Sequence, residues 1–254
     1  MASAREEAGI AVTSPRPDGR SYRTDGVHGR LVHELGRRIV GGDFAPGQTL
    51  PTEASMVTEF GSGRSAVREA IKVLTAKGLV RTKTKVGSVV QDEAAWNLLD
   101  PDVLAWRYEA DPSDKHLEDL GGVRVAFEPE AARLAARSRD RSGVAAIQQA
   151  YLLMEQTIDE PDTFIRHDLA FHHAIVRASG NRLLEQLSVL MSGAFESARQ
   201  VHTRNVRRNK RTLPGHKAVL DAIVARRGEE AASLMRTLVT GAQHDIQRDR
   251  RASR

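Results

Sequence analysis

Apolar residues from Val27 to Val40 recur at Val27, Leu31, Leu35 and Ile39, which gathers them on one face of a helix that Gly41-Gly42 ends. Pro46-Gly47 makes a turn, and Thr49 or Thr52 is placed to cap a second helix reaching about Phe60. Gly61-Ser62-Gly63 joins it to a third helix that runs to about Lys77 and stops at Gly78. The period then changes: LVRTK and SVV, with KVG between them, predict a short lysine-rich hairpin. Residues 91–115 carry Pro101, Pro112 and several acids and read as a partly helical linker. Beyond His116, helical periods recur over 116–138, 141–159, 161–179, 181–210, 214–227 and 229–250, with no strand pattern among them. The polar start, with Pro15, Pro17 and Gly19, reads as a disordered leader over 1–23.

Composition agrees with a helical chain. Apolar residues make up 40% but aromatic ones only 4%, so the cores must be built from Ala, Leu and Val, which suit packed helices. The absence of cysteine excludes disulfides, thiolate metal sites and cysteine nucleophiles. No signal-like apolar core opens the chain and no run approaches a membrane span, so a cytoplasmic protein is expected. Charge is unevenly spread. Residues 20–90 hold 12 Lys+Arg against 6 Asp+Glu, whereas residues 91–254 are balanced at 24 of each. The excess positive charge therefore sits in the segment of three helices and a hairpin, as a polyanion-binding module requires.

The third helix separates its chemistry by face. At about 100° per residue, Arg64, Ser65, Arg68 and Lys72 fall on one side and Val67, Ala70, Ile71 and Leu74 on the other. Anchored by its apolar side, such a helix can present arginines to a major groove, where their forks match guanine acceptors and reach phosphates. The stretch LPTEASMVTEFGSGRSAVREAIKVLTAKGLV, Leu50 to Val80, resembles the winged helix-turn-helix of the GntR family of bacterial regulators. That resemblance implies DNA contacts by Arg64, Ser65 and Arg68, and a wing, carrying Gly87, that reaches a neighbouring groove; Lys83 and Lys85 on the hairpin are placed to supply phosphate contacts of their own. Ala54 stands where the family often has Arg, Gly63 where it has Ser or Thr, and Lys85 where it often has Gly.

In the C-terminal half, polar residues occupy positions where apolar ones belong. Asp168 and His172, four apart, are centred on the stripe of Leu169, Phe171, Ile175 and Val176. His216 lies among Val219, Leu220, Ile223 and Val224, and Arg124 with Glu128 among Leu117, Leu120, Phe127 and Ala131. Buried groups of this kind must be paired or hold a metal. A carboxylate–imidazole hydrogen bond and a buried ion pair satisfy the same pattern.

The strings RVAFEPEAARLAA, DLAFHHAIVRASGN and GHKAVLDAI resemble the FCD effector domain of the FadR subfamily. The resemblance implies metal ligands at Asp168, His172 and His216, with Leu238 at the position of the fourth, a histidine. Three O/N donors with open positions suit Zn or another divalent ion and leave room for an effector carboxylate. It also implies effector contacts by Arg124, Glu128 and Asn181. The junction KVGSVVQDEAAWNLLDPDVLAW is similar to regulators of galactonate and related sugar-acid catabolism.

The expectation is thus a mainly α protein. A winged helix-turn-helix over 24–90 precedes the linker 91–115 and an all-helical effector and dimerisation domain of six or seven helices over 116–250. Its expected function is that of a homodimeric DNA-binding regulator, a repressor released by a small carboxylate. A metal-dependent hydrolase or isomerase with an accessory nucleic-acid domain is the rival, since three ligands and a free position also serve catalytic zinc. A sensor of metal alone is a third reading.

Overall fold

The computed structural model describes residues 26–110, 113–196 and 205–252. The expected leader lies outside them. Three short helices come first: α1 (Val27–Val40), α2 (Glu53–Phe60) and α3 (Arg64–Ala76). Thr52 caps α2 by accepting a hydrogen bond from Ser55 N–H. The turn into α3 is closed by Gly61, whose left-handed φ of 57° suits a residue with no Cβ. Strands β1 (Val80–Lys83) and β2 (Gly87–Val90) form the hairpin, with Val80 opposite Val90. The sheet gains a partner absent from the sequence pattern. Leu50 N–H donates to Ser88 O, Val90 N–H to Gln48 O, and Thr49 bridges Val89, so residues 48–50 line the other edge of β2.

Thr49 therefore serves the sheet and Thr52 the cap. Leu31, Leu35, Ile39, Met56, Val67, Leu74 and Leu79 make the core of this head, each burial contributing about 1.5–3 kcal/mol.

The expected linker is far more ordered than its composition suggests. It contains α4 (Pro101–Ala110), in which residues 102–106 are all buried. Val103 and Trp106 belong to the core of the head, while Leu104 and Tyr108 belong to the second core. Trp106 donates from Nε1 to His33 Nδ1 at 2.8 Å and packs over Gly36, where a Cβ would lie 2.3 Å from the ring. Lys77, only 4% exposed, closes the junction: its ammonium lies 2.7 Å from both oxygens of Asp100 and 2.7 Å from Asp102 Oδ2. Asp100 Oδ1 in turn accepts from the N–H groups of Asp102 and Val103, capping α4.

The second core is a helical bundle. It contains α5 (Asp114–Arg137), α6 (Arg141–Gln156), α7 (Pro161–Ala178), α8 (Arg182–Leu190), α9 (Val206–Val224) and α10 (Gly228–Ala252). Helix α10 runs antiparallel to α5: Gly121 meets Gln243 at one end and Arg137 pairs with Glu229 at the other. Ala131, Ala132, Ala135, Ala136, Ala174 and Ala222 let the helices approach closely, and Phe127, Phe164, Phe171, Met154 and Ile223 fill the spaces.

Two expected boundaries are wrong. The helix expected over 181–210 is interrupted: α8 ends at Leu190, residues 192–196 are helical again after a turn at Met191, 197–204 lie outside the described residues, and Asn205 starts another helix by accepting from Arg207 and Arg208 N–H. The break expected before 214 does not occur, because Pro214 lies inside α9. Proline removes one backbone hydrogen bond, but burial of Val219, Leu220 and Ile223 on the same helix outweighs that loss.

Candidate DNA-reading and ligand-binding sites

The head presents its cations as the wheel requires. Val67, Ala70 and Leu74 are fully buried, while Arg64, Ser65 and Arg68 face solvent at the start of α3. Arg68 Nε lies 2.8 Å from Glu53 Oε2 across the helix-turn-helix, and both side chains stay exposed, so DNA can compete for the guanidinium. Lys83, Lys85 and Gly87 are exposed on the hairpin. Its turn is closed by Val86 N–H to Lys83 O, and Lys85 adopts a φ of 64°, where glycine is the easier residue.

Within the bundle, three helices bring Arg124 and Glu128 (α5), Asp168 and His172 (α7), and His216 (α9) together. Arg124 Nε lies 2.5 Å from Glu128 Oε1, and Glu128 Oε2 lies 2.7 Å from His172 Nδ1. The latter contact is short but off the N–H direction, leaving that nitrogen without an aligned hydrogen bond. Arg124 Nη2 reaches 3.4 Å from His172 Nε2. Burial pushes the Glu128 carboxyl up, but the Arg124 charge and the hydrogen bonds the carboxylate accepts outweigh it and hold the group far below the usual carboxylate range. Burial also lowers the His172 imidazole, against the pull of Glu128, which favours the neutral ring a metal would need.

Asp168, His172 and His216 each offer a ligand atom within 4.8 Å of the others, all three buried. His216 donates from Nδ1 to Thr212 O at 3.0 Å, which leaves Nε2 as the ring's lone-pair nitrogen. That atom sits 2.9 Å from Asp168 Oδ1 yet has no aligned hydrogen-bond partner among the described residues. Two acceptors at this distance in a dry interior repel unless a cation lies near both. The donor set therefore fits a divalent ion. Phe171 stands edge-on to both imidazoles and Phe195 stacks under the Arg124 guanidinium, so the surroundings are apolar.

Two expected residues fare differently from this group. Asn181 is exposed and its Oδ1 is committed to capping α8 through Leu183 and Leu184 N–H, so it is not assembled with the cluster. Leu238 is half-buried on α10, with its side chain against Gly215, the neighbour of His216. Sequence reasoning missed Lys77, the His33–Trp106 pair and Asn209, a wholly buried amide on α9. The signal for Asn209 was its seven-residue spacing from His216, which the break assumed at Pro214 concealed.

A helix-turn-helix with a wing, fastened to a helical bundle that encloses a ligand-ready polar cluster, defines a transcriptional regulator that carries its own effector domain. Residues 28–90 match the family model for bacterial regulatory proteins of the gntR family, and residues 119–241 match that of the FCD domain. The chain is 34% identical over 214 residues to the galactonate operon transcriptional repressor of Escherichia coli K12, covering 83% of this chain and 92% of the relative. It belongs to the GntR family, as a regulator with a C-terminal FCD domain.

It is also 31% identical to the regulator YieP of the same bacterium, covering 82% and 90% of the two chains. The repressor NanR of Citrobacter rodentium is 28% identical, covering 89% and 90%. Its fold is shared with the solved Listeria monocytogenes regulator Lar, with a TM-score of 0.60, 18% identity and coverage of 89% and 99%. These relatives are regulators, not enzymes, which removes the hydrolase or isomerase reading. Among the described residues no helix is long and apolar enough to cross a membrane.

Proposed function

We propose that this regulator is a cytoplasmic homodimeric repressor whose operator binding is released by a sugar acid held at a metal-supported cluster. The head over 24–90 reads DNA through Arg64, Ser65 and Arg68, with Lys83, Lys85 and the Gly87 backbone of the wing at phosphates. The linker over 91–115 couples it to the effector and dimerisation domain over 116–250. Asp168, His172 and His216 hold the divalent ion, for which zinc suits the O/N donors. When bound, that ion supplies a Lewis-acidic anchor for a carboxylate. Arg124 orients the anion with its charged fork, Glu128 fixes Arg124, and the apolar rings exclude water.

The observation that carries this reading is the buried Nε2 of His216, 2.9 Å from Asp168 Oδ1 with no aligned hydrogen bond among the described residues, in the cluster that also holds Arg124. The galactonate repressor among the relatives supports a sugar acid as the effector. Calorimetric titration of metal-stripped protein with zinc tests the site. One equivalent should bind per chain, and Asp168→Asn should weaken it at least about tenfold, as loss of a ligand group requires. Binding that survives Asp168→Asn unchanged overturns the assignment.

A further inference from the structure

Helix α9 carries a second buried polar side chain that the cluster does not use. Asn209 is 0% exposed, and among the described residues neither its amide nitrogen nor its amide oxygen has a hydrogen-bond partner. Stripping water from a donor and an acceptor together, with nothing in exchange, opposes folding, and native interiors contain few such groups. An apolar residue of similar volume would suit the position better in a protein that placed nothing against it.

The register of α9 indicates what that is. Asn209 precedes His216 by seven residues, two helical turns, so both side chains leave the same face, separated by roughly 10 Å along the axis. Between them Thr212 is already committed: its hydroxyl donates to Asn209 O and its carbonyl accepts from His216. Among the described residues of α9, the face thus offers an ion-binding end and an amide end, and the one polar side chain between them, Thr212, is already engaged. Neither end is complete by itself.

We propose that Asn209 reads a distal hydroxyl of the effector, which is a linear polyhydroxy acid of about five or six carbons lying along α9 with its carboxylate at the cluster, an assignment that rests on the carboxylate site above. An amide presents N–H donors and an oxygen acceptor, and a hydroxyl is the group that answers both. A terminal ammonium would leave the amide N–H groups unpaired, and a second carboxylate would leave the oxygen unpaired. An extended chain advances roughly 1.2 Å per bond. A five- or six-carbon acid therefore approaches the amide from the cluster, whereas a three-carbon hydroxy acid stops short of it.

Calorimetric titration of zinc-loaded, full-length protein tests this with aldonates of three to six carbons, including galactonate, gluconate and their 6-deoxy forms. In the parent, the best five- or six-carbon acid should bind at least about tenfold tighter than glycerate and at least about tenfold tighter than its own deoxy form. Asn209→Leu should erase both differences, leave glycerate within about twofold of the parent, and raise the melting temperature of the ligand-free protein. A variant that loses stability and weakens every acid alike overturns the proposal, as does one that changes no affinity, since the amide would then serve packing or a trapped water. The deoxy comparison needs no variant and decides the matter even if Asn209→Leu does not fold. If no acid of any length binds the parent, the underlying carboxylate site is wrong. If short acids bind as tightly as long ones, only the role of Asn209 is.

Discussion

Lys77 and Asp102 with the half-buried Asp100, at the junction of head and linker, and Asp168, His172, His216 and Asn209, inside the bundle, are both groups of polar side chains withdrawn from water. At the junction the ammonium lies between two carboxylates at 2.7 Å, and one carboxylate also caps α4 through two backbone N–H groups. In the bundle, two imidazole nitrogens and both ends of an amide have no hydrogen-bond partner among the described residues. The first group is complete without any ligand and serves to fasten α3 to α4. The second is complete only with something bound. Buried polarity alone therefore does not mark a binding site; the state of its hydrogen bonds does.

Removing the cation from the complete group gives the largest expected effect. Lys77→Met leaves the buried carboxylate of Asp102 and the half-buried one of Asp100 without their cation and should lower unfolding free energy by about 3–5 kcal/mol in urea titration. The matching change in the incomplete group, His216→Leu, should leave the metal-free protein within about 1 kcal/mol of the parent while abolishing zinc binding. Similar losses from both changes would erase the distinction.

Gly36→Ala probes the junction from its other side. A methyl group 2.3 Å from the Trp106 ring must push α4 away from α1, at a cost of about 1–3 kcal/mol. Zinc and acid affinities should stay unchanged in that variant while the acid's effect on DNA binding shrinks, because α4 carries side chains of both cores.

Tyr108 gives a smaller effect. Its hydroxyl donates to His116 O, and burial raises its pKa to about 12. Because the folded value lies above the unfolded one, its contribution is fully present below pH 10 and is lost as pH rises from there through about 12. Tyr108→Phe should flatten the fall in stability over that window. Lys85→Gly should be the mildest change, relieving a φ of 64° and keeping the melting temperature, while the salt dependence of DNA binding loses about one phosphate contact.

Much of this was legible in the sequence because periodicity and local chemistry agreed. The amphipathic wheel of α3 gave its buried and exposed faces, and polar intruders on apolar stripes pointed to Arg124, Glu128, Asp168, His172 and His216. What the sequence hid depended on tertiary context. Pro214 signals a helix end locally, and only the packing of α9 shows that it is not one. The linker's acids gave no sign of a partner, yet Asp100 and Asp102 serve a lysine more than 20 positions earlier. Asn181 matched a pattern but spends its side chain on a helix cap.

The most direct test follows fluorescence anisotropy of a labelled duplex from the gene's own upstream region, titrated with zinc-loaded protein in the presence and absence of five- and six-carbon aldonates. The expected result is tight binding that at least one acid weakens at least about tenfold, with Arg64→Ala losing the binding and Arg124→Ala losing only the response. Operator affinity indifferent to every acid, or retained by Arg64→Ala while Arg124→Ala still responds, would contradict it.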